Sequence, residues 1–130
     1  MSNSREKGVM ILGTVDLVNL NSAAFTALYT GRPGQTFIVD HVKLRKLSAN
    51  ATNLVATFGK STSASDFVAA RTFSNLSAAG KSCKIEPVPA TTPAAITEYV
   101  AGDIFGITVT TPAGIACTAT FDVFGHVKPT

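Results

Sequence analysis

Side chains able to do acid–base, nucleophilic or metal chemistry are few in this chain. There are two histidines, His41 and His126, two cysteines, Cys83 and Cys117, and eight carboxylates among 130 residues. Asp40 and His41 are adjacent in a stretch that reads as a strand, so they are expected to project to opposite faces and form no catalytic dyad. Asp122 and His126 share a strand parity, but four steps put them about 13 Å apart, beyond hydrogen-bond reach. Only a pair assembled across strands would leave catalysis open. The histidines and cysteines have no metal-ligand spacing, and each reads better as a core thiol or a surface imidazole. Gly59-Lys60-Ser61 resembles the end of a phosphate loop but lacks its first glycine and a following helix. With no Trp, and only Tyr29 and Tyr99 beside eight Phe, a sugar-stacking platform is not expected. The chain is therefore expected not to be an enzyme and to use no cofactor and no metal.

Composition points to a strand-built body. The chain is 45% hydrophobic and only 15% charged, and Thr, Ser, Ala and Val outweigh the strong helix formers. A chain of this length buries roughly two-thirds of its unfolded surface, so it needs neither disulfide nor metal to fold. The net charge of +3 is mild and its basic residues are dispersed, which argues against nucleic acid as a partner. Their densest group, Lys43, Arg45 and Lys46, reads as a solvated strand face or a contact for an acidic protein. Residues 104–121 carry no charge, yet their threonines, their proline and their period of two argue against a membrane span. The start of the chain is polar and the run Val9–Leu12 is too short for a secretion signal, so a soluble protein made in the cytoplasm is expected. The cysteines are then free thiols, and the two glycosylation sequons, at Asn50 and Asn75, are silent.

The expected organisation is a flexible arm over residues 1–7 and a single β-sandwich domain over residues 8–130. Strands are expected over residues 8–18, 25–30 and 35–47, the last with Ile38, Val42 and Leu44 on one face and His41, Lys43 and Arg45 on the other. Further strands alternate at Leu54–Phe58, Phe67–Phe73 and Cys83–Ile85, with a loop over residues 59–65. Residues 87–95 hold three prolines and read as an irregular crossing, and residues 96–100 lead into the last elements. The most regular stretch, residues 101–127, reads as a hairpin. Phe105, Ile107 and Val109 precede a Thr111-Pro112-Ala113-Gly114 turn, and Ile115, Cys117, Ala119, Phe121 and Val123 follow it. Its polar parity sets out a threonine ladder of Thr108, Thr110, Thr118 and Thr120, a face suited to solvent or to another β-protein. About eight short strands at roughly ten-residue intervals make this an antiparallel β-sandwich of jelly-roll or related Greek-key type.

Five short stretches carry a resemblance. Leu28-Tyr29-Thr30, Pro33-Gly34-Gln35-Thr36 and Val39-Asp40-His41-Val42 resemble the opening of small β-sandwich virion proteins of tailed bacteriophages. Residues 101–107 (AGDIFGI) and 121–125 (FDVFG) resemble their closing motifs, so the likeness spans roughly residues 28–127. The chain departs from the pattern in Gly31-Arg32 ahead of Pro33 and in its basic Lys43/Arg45/Lys46 strand end. The resemblance is to capsid decoration (cement) proteins, which implies a homo-oligomer, commonly a trimer, on the outer face of the major capsid protein. There it would stabilise the expanded shell, so the expected location is the virion surface. Candidate capsid contacts are Arg5, Lys7, Lys43, Arg45 and Lys46, and candidate self-association residues are Met10, Leu12 and Phe124. The alternative is a host-binding adhesin module associated with a head or tail fibre.

Overall fold

A computed structural model describes residues 9–88 and 97–129. In chain order its strands are β1 (Met10–Asn19), β2 (Phe25–Thr30), β3 (Gln35–Arg45), β4 (Val55–Lys60), β5 (Ser63–Thr72), β6 (Cys83–Ile85), β7 (Glu98–Tyr99), β8 (Ile104–Thr111) and β9 (Thr118–Pro129). They form two sheets. The first has the order β1-β9-β3-β6, with β7 also paired to β3, and the second has the order β2-β8-β4-β5. Every ladder between these strands is antiparallel. This is the antiparallel β-sandwich that alternation and turn spacing predict.

The sheets pack because each presents one apolar parity to the other. Val39, Val42, Leu44, Phe121 and Val123 come from the first sheet, and Ala56, Phe58, Phe105, Ile107 and Val109 from the second. Phe58 and Phe121 meet across the middle with ring centroids 6.1 Å apart. Toward one end the rings chain together: Tyr29 on Phe37 at 4.9 Å, Phe37 on Tyr99 at 5.2 Å, Tyr99 on Phe105 at 5.5 Å and Phe105 on Phe67 at 5.2 Å. Each such buried ring contributes roughly 1.5–3 kcal/mol from area alone, so this cluster fastens the sheets together. Cys117 is buried, Cys83 is half-buried, and both are free thiols.

Five local expectations need correction. The stretch over residues 101–127 is not a hairpin, because β8 lies in the second sheet and β9 in the first. Its connection crosses between the sheets and is held by the β1–β2 connection: the Ala113 amide donates to the Leu20 carbonyl and the Leu20 amide to the Cys117 carbonyl, both at 2.9 Å. A hairpin and a crossing bury the same alternating residues, so alternation does not separate them. The four threonines consequently form no single ladder. Thr108 and Thr110 belong to one outer face of the sandwich, Thr118 and Thr120 to the other.

Two more corrections come from β-bulges, which insert one residue and exchange the faces beyond it. In β3 the register against β9 shifts between Val39 and His41. Phe37 and Val39 before the shift, and Val42 and Leu44 after it, therefore all reach the core, while Ile38 joins His41, Lys43 and Arg45 outside. In β1 the register shifts between Val15 and Val18. Val18 then enters the core, whereas Leu17, on the same sequence parity as the apolar Ile11 and Val15, is 77% exposed at a φ of 56°. A left-handed backbone costs a branched residue about 1–2 kcal/mol. The loop expected over residues 59–65 is also shorter, since β4 and β5 are separated by Ser61 and Thr62 alone. Most of the proline-rich crossing, and the arm over residues 1–7, lie outside the described residues.

Candidate docking surface

The outer face of the first sheet is built from the polar parity of β1, β9 and β3. At its centre Asp122 of β9, only 6% exposed, accepts hydrogen bonds from both neighbouring strands. Arg45 of β3 donates through Nε to Oδ2 at 2.7 Å, with a longer contact from its guanidinium NH2 to Oδ1 at 3.4 Å. From β1, Thr14 donates through its hydroxyl to Oδ1 at 2.7 Å. Burial alone would push the Asp122 carboxyl up. The hydrogen bonds from Arg45 and Thr14, with the charges of Arg45 and Lys43, outweigh it and hold the group below the usual carboxylate range. One rung along, the Thr120 hydroxyl donates to Asp16 at 2.7 Å. Three strands are thus cross-tied on their outer side by side chains as well as by their ladders.

Further along β9, Phe124 is half-buried and stacks on His41, with centroids 4.6 Å apart and planes 9° from parallel. The β3 bulge places Asp40 beside His41, contrary to expectation, with Oδ2 2.7 Å from Nδ1. That pairing fixes the imidazole as an aspartate does in a catalytic triad, but no hydroxyl or thiol among the described residues is hydrogen-bonded to His41. Among the described residues no group of three His, Cys, Asp or Glu is arranged to hold a metal ion.

The sequence-predicted contact residues do not behave as one set. Lys43 and Lys46 are exposed, Lys46 at a φ of 55°, and neither forms an ion pair among the described residues. Arg45 is committed to Asp122, so its guanidinium is a structural cross-tie on this face. Arg5 and Lys7 lie outside the described residues. Of the self-association candidates, Met10 is 52% exposed and Phe124 half-buried, whereas Leu12 packs partly against the core. Two residues the sequence reasoning passed over, Ile11 at 53% and Leu17 at 77%, are more exposed than either. Hydropathy alone marks them as core; only the register shifts in β1 turn them out.

The opposite face, on the second sheet, has another character. β2 and β8 contain no charged residue at all, and β4 has only the terminal Lys60. On β5 the two charged side chains are engaged elsewhere: Arg71 lies over the buried Phe73 ring at 5.8 Å, and Asp66 turns toward Tyr99 of the first sheet. What remains outward is Thr57, Thr108, Thr110, Thr72, Ala27 and Phe25, the last lying over Gly106. A Cβ at Gly106 would run into the Thr26 carbonyl and the Phe25 ring. The Tyr99 hydroxyl donates to Asp66 Oδ1 at 3.0 Å, and Gly59 leaves the room that this carboxylate occupies. Burial pushes the Asp66 carboxyl up, against the opposing hydrogen bonds from Tyr99 and the Lys60 amide. Burial likewise pushes the Tyr99 hydroxyl up, with Asp66 adding to it.

No family model matches the chain, and no curated protein matches it. Among solved structures the fold is similar to a chain of the cyanophage Pam1 capsid asymmetric unit, at 21% sequence identity and a TM-score of 0.52. The likeness covers 90% of this chain and 83% of that one.

Proposed function

We propose that this chain is a structural protein of a phage virion, and more narrowly a capsid decoration or cement protein. In this reading it binds the outer surface of the major capsid protein and stabilises the expanded shell by adding buried interface between neighbouring subunits, without catalysis. The observation that carries the reading is the fold likeness to a cyanophage capsid component, which runs over nearly the whole of both chains. The strand orders β1-β9-β3-β6 and β2-β8-β4-β5 support it, being those of an eight-stranded jelly roll with β6 and β7 sharing one position, an architecture frequent in viral capsid domains. The residue motifs at both ends of the domain point the same way.

Docking is assigned to the outer face of the first sheet, with Lys43 and Lys46 as exposed cations and Arg5 and Lys7 of the N-terminal segment as additional contacts. Arg45 acts there by keeping the three strands in register. The protein assembles with itself, as a trimer in the decoration reading, through apolar residues that include Met10 and Phe124. The test is co-sedimentation of the purified protein with expanded shells that lack it. Saturable binding, weakened by Lys43→Glu and Lys46→Glu together, is the expected result. Failure to bind such shells, alongside binding to host cells, overturns the reading in favour of the adhesin.

A further inference from the structure

The basic residues are dispersed along the sequence, but the fold gathers the chain's excess positive charge at one corner of the first sheet. β6 runs beside the end of β3, with Leu44 opposite Cys83 and Lys43 opposite Lys84. Next to this ladder the Gly80 amide donates to the Leu47 carbonyl at 2.8 Å, so residues 43–47 and 80–84 lie side by side. One segment contributes Lys43, Arg45 and Lys46, the other Lys81 and Lys84, and neither contains a carboxylate. All four lysines are exposed.

Two local features hold these cations out together. Lys43 and Lys84 are directly opposite in an antiparallel ladder, which puts a like-charge pair on one face, an arrangement that destabilises a sheet. Lys46 breaks the alternation of β3. By parity it would follow Leu44 inward, but its φ of 55° leaves it outside and Leu47 is buried instead. Two carboxylates reach the corner. Asp122 is taken up by Arg45 and Thr14, beside an Asp16 that is bonded to Thr120, and Glu86 lies 3.7 Å from the Lys84 ammonium. Lys43, Lys46 and Lys81 form no ion pair among the described residues. Setting these five cations and two carboxylates aside from the chain's eleven basic and eight acidic residues leaves six of each. The net charge of +3 is therefore the excess at this corner.

We infer that the β3–β6 corner, with Lys81 and Lys84 joining Lys43 and Lys46, docks an acidic patch on a protein surface. Its occupant follows from charge complementarity. A second copy of this chain would bring the same lysines against these. Nucleic acid fits less well, because the one arginine is bonded to Asp122 and neither segment has an aromatic side chain to stack a base. Carboxylates from a protein relieve the Lys43–Lys84 repulsion and need neither a fork nor a stacking partner. The inference rests on the docking part of the proposed function and adds to it the acidic character of the surface bound.

The test is co-sedimentation of the full chain with expanded shells that lack it, comparing wild type with a Lys81→Gln, Lys84→Gln double variant. The same proteins are titrated with poly-glutamate and with a short DNA duplex, followed by amide chemical shifts. Both substitutions are at exposed positions and one removes a like-charge rung, so the variant should keep its denaturation midpoint. Raising salt from about 0.1 M to about 1 M shortens the Debye length from about 10 Å to about 3 Å and should weaken wild-type shell binding at least about tenfold. At the lower salt the double substitution should weaken it about three- to tenfold, as for loss of two exposed ion pairs. Poly-glutamate should shift the amides of residues 43–47 and 80–84. Shell binding indifferent to salt and to the double substitution overturns the inference and leaves the decoration reading in place, with another face docked. A DNA duplex bound at this corner more tightly than poly-glutamate overturns it in favour of nucleic acid. Poly-glutamate binding that the double substitution removes, with no shell binding by wild type, leaves the inference standing and defeats the decoration reading. Binding to neither shells nor poly-glutamate defeats both.

Discussion

The two outer faces of this sandwich come from strands of the same period, yet one is cross-tied by a charged network and the other has no such tie. On the first sheet Asp122 draws Thr14 and Arg45 into one network spanning β1, β9 and β3. On the second, β8 lies between β2 and β4 with glycine and threonine outward, and close backbone approach at Gly106, with the Thr110 hydroxyl donating to the Val55 carbonyl at 3.1 Å, stands in place of a charged network. The difference shows that a sheet face can be held flat in two ways, and that each has its own weak point. The charged face fails when one partner of the network is lost. The uncharged face fails when anything larger than hydrogen is placed where its strands touch.

The largest effect is therefore expected from the uncharged side. Gly106→Ala places a Cβ against the Thr26 carbonyl and the Phe25 ring, and a backbone carbonyl in a ladder has little room to move. We expect a loss of about 3 kcal/mol, the upper end of overpacking costs, read as a lower midpoint in denaturant. An unchanged midpoint would mean that β2 yields freely and that close approach does not hold this face. Next comes Asp122→Ala, which leaves the Arg45 guanidinium and Thr14 hydroxyl without their acceptor. Its cost should be about 2 kcal/mol, as for loss of a charge-assisted hydrogen bond. Asp122→Asn, which keeps the shape, should recover part of it.

Each sheet also carries one perturbed carboxylate, and the two shifts have opposite sign. Asp122 on β9 titrates below its unfolded value, so its contribution is present above the ordinary carboxylate pKa and is lost as pH falls through its folded value. Asp66 on β5 titrates above its unfolded value, so its contribution is present at acid pH and is lost as pH rises through the ordinary range to its raised value. Between about pH 2 and pH 6, Asp122→Asn should flatten the rise in stability with pH, whereas Asp66→Asn should steepen it. Thermal melts across that range check both. Two variants that bend the curve the same way would break the assignment of one paired and one desolvated carboxylate.

Much of this was legible in the residues, and the failures share one cause. Phe58, Phe105, Phe121 and Val123 declare themselves core by parity, and the strands around them fall where alternation places them. What alternation does not carry is register. A single inserted residue at Asp40 brings that carboxylate beside His41, and another at Leu17 sends a leucine into solvent in exchange for Val18. The hairpin expected over residues 101–127 failed for a related reason: period two fixes which side of a strand is apolar, not which sheet the strand joins. The Asp122 network was hidden too, since Thr14, Arg45 and Asp122 lie 108 and 77 positions apart in their pairs and meet only because β9 runs between β1 and β3.

The smallest expected effect is the most discriminating for the comparison. Thr108→Val on the second sheet and Thr120→Val on the first are the same change at a central outward position of each face. Thr108 has no side-chain hydrogen bond among the described residues, and valine suits a strand at least as well as threonine, so the change should fall within about ±0.5 kcal/mol. Thr120 is 1% exposed and its hydroxyl donates to Asp16, so valine there removes a donor from a carboxylate and should cost about 1 kcal/mol. Measured side by side, the two variants separate face chemistry from residue type. Equal effects would mean that the threonine hydroxyls do the same thing on both sides, and that the contrast between a tied face and an untied one is a matter of composition only. A cost confined to Thr120 would locate the cross-ties where the geometry puts them, on the face to which docking is assigned.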